Sequence, residues 1–197
     1  VTVGGTANMD SVFSREVHFP VEFDYHERRF SPGTISYMYS LLFYYCLALF
    51  FALRNGRMSI QQVNNWLEKI AALSQGMRAT IDHNLIKLEN MGAATSLDDR
   101  TIFVGGGPNY GTAIYSMIKV IETTRTPSRS QELEEGAHQD YFLTNPNAIT
   151  FFISPPTIGI ERAHEQLWAA NQLKSRTVAV CSVNDPITAN LASLSLS

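Results

Sequence analysis

Apolar positions along the chain fall into two periods. Near-continuous runs at Thr101-Ile102-Phe103-Val104, Ala148 to Ile153 and Thr177 to Cys181 read as buried strands. Val1-Thr2-Val3 and Glu16 to Phe23 read as two more, and Ser154-Pro155-Pro156 ends the run before it. Between the strands the period lengthens. Ile114, Met117, Ile118 and Ile121 recur at helical spacing after the turn Gly105-Gly106-Gly107-Pro108-Asn109-Tyr110-Gly111, and this face is expected to pack on the sheet. A polar stretch from Thr123 to Ser130 leads to a short helix carrying Glu132, Glu134 and Glu135, and Glu161 to Lys174 forms another amphipathic helix. Upstream, Ser or Thr of Ser31-Pro32-Gly33-Thr34 can cap a helix that runs to Asn55-Gly56. Ser59 caps a helix to about Leu73, and a further helix is expected from about Met77 to Asn90. Strands separated by helices imply an α/β protein with a parallel sheet and right-handed crossovers.

The two ends echo each other. Val1-Thr2-Val3 with its Asn8/Asp10 turn resembles Val178-Ala179-Val180 with its Asn184/Asp185 turn. The chain therefore reads as the end of one α/β repeat, a helical connector, and the beginning of the next. The absence of an initiator methionine fits a fragment, and a processed chain would look the same.

Charge and composition narrow the class. A hydrophobic content of 45% supports a real core, and a net charge of -3 with scattered basic residues argues against nucleic acid as a partner. Cys46 and Cys181 lie far apart in apolar surroundings, so buried free thiols in a reducing cytoplasm are expected rather than a disulfide framework. The run from Ile35 to Leu53 has no charge and is flanked by Arg28, Arg29, Arg54 and Arg57, which is just enough for a membrane span. Its interior tyrosines, Tyr37, Tyr39, Tyr44 and Tyr45, favour a helix buried inside an α/β layer, and no membrane partner is expected. Val1 opens into strand-like sequence with no basic n-region, so no signal peptide is read.

Candidate chemistry gathers between Glu122 and His138. Glu122 lies at the far end of its helix, where a carboxylate gains nothing from the helix dipole. His138 is of the residue type best suited to move a proton in catalysis. Glu135 and His138 have E-x-x-H spacing, but a di-iron bundle needs a second such motif, so no metal is expected. Gly105, Gly107 and Gly111 loosely resemble a dinucleotide fingerprint, yet the acid that should end a second strand is lacking, because the next strand begins only near Ala148. No cofactor is expected. His18, His26, His83 and His164 form no spaced ligand set and read as surface or loop residues.

The stretch "TIFVGGGPNYGTAIYSMIKVIETTRTPSRSQELEEGAHQD", with its strand, glycine turn, helix ending in an acid and glutamate-histidine segment, resembles the second domain of sugar isomerase (SIS) domain proteins. These are typified by the isomerase half of glucosamine-6-phosphate synthase and by fructosamine-phosphate deglycases. "HERRFSPGTISYMYSLLFYYCLALFFA" is similar to the end of the first such domain. The resemblance implies a flavodoxin-like, doubly wound parallel sheet. It divides the chain into residues 1–57 (the C-terminal part of a first SIS domain), 58–92 (connector) and 93–197 (the N-terminal part of a second). Glu122 then matches the family's base for C1/C2 proton transfer, His138 a ring-opening histidine that reaches a neighbouring subunit's site, and Glu135 an acid that orients it or caps the turn. Glu27, Phe30, Ser31 and Pro32 fall on positions lining the sugar-phosphate site, with Gly105 and Gly107 as the sugar-facing turn. The family's S-x-S-G-x-T phosphate loop and its C-terminal lysine are absent from this chain. Gln139 and Asp140 replace a common glycine and proline.

The resemblance implies a phosphosugar isomerase, or a deaminase or deglycase of amino-sugar or fructosamine phosphates. It would take a sugar phosphate, need no cofactor and work in the cytoplasm as a homodimer with a shared site. A non-catalytic sugar-phosphate sensor and a membrane-anchored fragment are the competing readings.

Overall fold

The computed structural model describes residues 1–25, 32–155 and 159–197. The chain forms two compact units, Val1–Met77 and Arg78–Ser197.

The second unit is built on a parallel five-stranded sheet. Its strands are β3 (Arg100–Gly105), β4 (Ser128–Glu132), β5 (Ala148–Ile153), β6 (Arg176–Val180) and β7 (Leu194–Leu196), in the order β4-β3-β5-β6-β7. That is the flavodoxin-like arrangement, in which the chain leaves β3 toward one side, returns, and continues on the other. Alternation along the strands feeds two cores. Ile102, Val104, Ala148 and Phe152 face Leu133 and the helix α6 (Ile160–Gln172), which contributes Ala163 and Leu167. Phe103 and Ile153 face α4 (Pro108–Thr124), where Ala113 is fully buried and Tyr110, Met117 and Val120 pack around it. Phe103 and Phe151 stack with ring centres 4.7 Å apart.

The packing stripe of α4 is Tyr110, Ala113, Met117 and Val120, so the helix is rotated from the expected face and Ile118 and Ile121 are exposed. The cause is the small Ala113, which lets α4 approach β3 closely; a stripe scored by apolar bulk passes over it. A strand, β4, occupies part of the stretch read as polar loop. Its residues Ser-Arg-Ser-Gln-Glu carry no apolar pattern because it is an edge strand held by its ladder to β3. The two helices expected on either side of Gly76 are one, α3 (Ile60–Ala93). A single glycine costs a helix about 1 kcal/mol relative to alanine, too little to break one of this length.

The first unit contains β1 (Val3–Thr6), α1 (Val12–Glu16), β2 (Phe19–Glu22), α2 (Thr34–Arg54) and the start of α3. Its parallel β1–β2 pair repeats β6 and β7 around α7 (Pro186–Leu191) in detail. Val3 pairs with Phe19 and Val178 with Leu194, at the same sequence interval. Thr2 Oγ1 accepts the His18 amide at 3.1 Å as Thr177 Oγ1 accepts that of Ser193 at 2.8 Å. In return the Thr2 amide donates to His18 Nδ1 at 3.2 Å, and the Thr177 amide to Ser193 Oγ at 3.3 Å. His18, exposed as expected, is also one half of a clasp between the two connections. The sequence echo is a structural repeat.

None of the described residues of α2 is buried, contrary to the expected buried helix. Aromatic contacts from Phe23 and Tyr25 to Tyr39 and Phe43 cover part of one side. The two strands of this unit offer no sheet face broad enough to enclose the rest. By length and composition alone, α2 could cross a membrane.

Leu167 is fully buried between α6 and the sheet. Leu167→Ala is expected to cost about 2–5 kcal/mol, read from urea unfolding. At the amino edge, Asp99 and Arg176 pair at 2.6 Å. That guanidinium, with the Ser96 amide, holds the Asp99 carboxyl below its ordinary value near 3.8. A carboxyl lowered by folding stabilises the fold above the unfolded value, and the benefit is lost as pH falls through the folded one. Asp99→Asn should therefore lower stability at neutral pH and flatten its decline below about pH 4, measured by thermal unfolding across pH.

Candidate active site

Ligands of an open parallel sheet bind beyond the carboxyl ends of its strands where the winding reverses. Here that point lies between β3 and β5. Gly106 and Asn109 lie where the chain leaves β3 and opens α4, Ser154 and Pro155 follow β5, and Gly159 and Ile160 open α6; with Leu133 and Ile153 they border one narrow crevice. Both helices begin at a glycine in positive φ, Gly107 at 55° and Gly159 at 87°, and neither N-terminus has a side-chain cap. Two helix N-termini border this one crevice, and their dipoles make the potential there positive. Gly105 serves closeness instead: a Cβ there would lie 2.5 Å from the Asn109 carbonyl oxygen, so only glycine lets α4 start against β3.

The unrecognised β4 changes the dinucleotide comparison. It ends at Glu132, in register with Gly105, so an acid does close a second strand. Its carboxylate, however, accepts the Glu134 amide at 2.7 Å as the N-cap of α5 (Leu133–His138). The acid is committed to the helix cap.

The two principal candidates lie at opposite edges of the sheet. Glu122 is exposed in the last turn of α4, paired with Lys119 at 2.6 Å, at the edge where the strands begin. His138 ends α5, which follows β4 at the carboxyl edge. β4 alone separates these edges by about 15 Å at the usual rise per residue. This unit does not bring Glu122 and His138 together.

Around His138 the partner is Glu134, at 3.3 Å, rather than Glu135. The Glu135 carboxylate accepts from the Gln139 side-chain Nε2 at 2.8 Å. Glu134 also receives two bonds from Arg162, both 2.8 Å, and Arg162 bonds Glu165 at 2.7 Å, so α5 is clamped to α6. This hydrogen bonding by Arg162 holds the Glu134 carboxyl below its ordinary range. The i,i+4 spacing of Glu134 and His138 was the available signal. Pro32 precedes α2 and is half-buried; Glu27, Phe30 and Ser31 lie outside the described residues. No cluster of three or more metal-ligating side chains occurs among the described residues.

No protein-family model matches the sequence, and no curated protein matches it. Solved structures do. A candidate phosphosugar isomerase from Salmonella typhimurium LT2 superposes with a TM-score of 0.74 at 15% identity, over 97% of this chain and 56% of that one. Glucosamine-6-phosphate deaminase from Thermotoga maritima gives 0.66 at 16% identity, over 92% and 52%. The C-terminal domain of glucosamine-fructose-6-phosphate aminotransferase from Francisella tularensis gives 0.62 at 16% identity, over 77% and 43%.

The fold is that of the sugar isomerase domain proteins. The chain spans about half the length of these solved chains. Within this sugar isomerase fold the crevice between β3 and β5 is the switch point, and the glycine turn the sequence singled out forms one wall of it.

Gly105→Ala should displace the start of α4, lowering stability on the order of 1–3 kcal/mol as a backbone clash. Gly111→Ala, where a Cβ meets nothing within 4 Å, should be tolerated in the same urea titration.

Proposed function

We propose that the chain is part of a phosphosugar isomerase, or of a deaminase or deglycase acting on an amino-sugar or fructosamine phosphate. The observation that carries this reading is the pair of uncapped helix N-termini at the switch point of a sugar isomerase fold, which suits a phosphate anion. These chemistries share a proton transfer between C1 and C2 of the open-chain sugar. A carboxylate removes the proton from one carbon and returns it to the other, and a second group moves a proton on the ring oxygen.

Glu122 is the base in this reading and His138 the ring-opening group. Their placement at opposite edges supports a site shared between copies: Glu122 serves a sugar phosphate held outside its own unit, and His138 reaches a different site. Glu134, clamped by Arg162, positions His138. The protein then works as a cytoplasmic homodimer without a cofactor.

Mixing variants tests this directly. Glu122→Gln and His138→Asn should each lose turnover while still being stabilised by a sugar phosphate in a thermal-shift titration. Co-refolded in equal amounts, they should regain about a quarter of wild-type activity, because half of random dimers are mixed and each mixed dimer holds one intact site of two. No recovery would overturn the shared site. Stabilisation by sugar phosphates with no turnover in the unaltered chain would assign a sensor instead.

A further inference from the structure

A second concavity lies on the outer side of α6, apart from the crevice. It is an open groove of about 600 Å³, bordered by Tyr141, Arg162, His164, Glu165, Trp168 and Leu191. That volume falls within the range of small-molecule sites, about 300–1,000 Å³. Trp168 is 59% exposed, leaving a large aromatic side chain at the border. The charges at the rim answer each other, since Arg162 bonds Glu165 and Glu134. Nothing there calls for a charged ligand.

Counting protons defines what His164 offers. Asp185 caps α7 by accepting the Thr188 amide at 3.1 Å, and its Oδ2 lies 2.6 Å from the Thr188 hydroxyl. Burial works to raise the Asp185 carboxyl, but the bonds from Thr188 hold it below its ordinary range, so it accepts. Thr188, fully buried, therefore spends its one hydroxyl proton on Asp185. The contact of 2.8 Å between Thr188 Oγ1 and His164 Nε2 must then take its proton from the ring. Neutral His164 is thus the Nε2–H tautomer, and Nδ1 keeps a lone pair to accept with.

We propose that this groove is a second ligand site, taking an uncharged aromatic ring compound that carries an O–H or N–H donor, with the ring against Trp168 and the donor on His164 Nδ1. The aromatic walls select a flat ring, and the bare nitrogen selects a donor over an acceptor. The groove shares Arg162 with the clamp on Glu134, but its ligand is read from Trp168 and His164 alone.

The test uses Trp168 emission in a Trp66→Phe protein, the chain having two tryptophans. Phenol should change the emission saturably, and anisole, the same ring without the donor, should bind roughly tenfold more weakly, the upper value of one net hydrogen bond. His164→Phe should erase that difference. Because this variant leaves Thr188 without its donor, nitrogen-detected NMR of the histidine ring in the unaltered chain gives a second reading, expected to show Nε2 protonated. The proposal is overturned by no saturable response, by equal binding of phenol and anisole, by discrimination that survives His164→Phe, or by a proton on Nδ1. Emission that changes with protein concentration alone would assign the groove to a second copy of the chain and also overturn it.

Discussion

A parallel ladder has to be covered on both faces, because its crossovers run over them and its inner strands are apolar on both sides. In the second unit this constraint decides nearly everything else. Ile102 and Val104 demand one layer and Phe103 another, so α6 and α4 take opposite faces of the same strand. Once α4 is drawn against β3, Gly105 is obligatory, and the glycine turn that follows can open a helix with its amides toward the crevice. The crevice is thus a by-product of closing the sheet on both sides.

The first unit shows the same building block with less around it. The reciprocal bonds joining Thr2 to His18 and Thr177 to Ser193 hold two short parallel connections in one register, although histidine and serine share only the capacity to accept from an amide. Geometry is kept where side-chain identity is not. In the second unit β6 and β7 extend a sheet of five strands; in the first, among the described residues, β1 and β2 pair with each other, and no described residue of α2 is buried.

A helix that returns across the sheet carries its first and last residues to opposite ends, so Gly107 and Glu122, on one helix, lie at opposite edges of the sheet. At the carboxyl edge, the Arg162–Glu134–His138 chain ties α5 to α6, and a charge pair between the two helices gives the histidine a partner.

The sequence by itself determined the α/β class, three of the five strands of the main sheet, the glycine turn, and the repeat, because continuous apolar runs and backbone-permissive glycines act locally and leave a mark at each position. It also named Glu122 and His138 as a spaced pair. Tertiary structure alone decided the rest. β4 exists because β3 offers it a ladder, not because Ser128 to Glu132 favour a strand. Ala113, not a larger neighbour, marks the packing face of α4, because closeness rather than bulk sets that contact. Glu134 replaced Glu135 as the partner of His138 through its clamp to Arg162, a residue on another helix. The tautomer of His164 follows from a proton count over residues brought together only by the packing of α6 on α7, a long-range contact that no local pattern records.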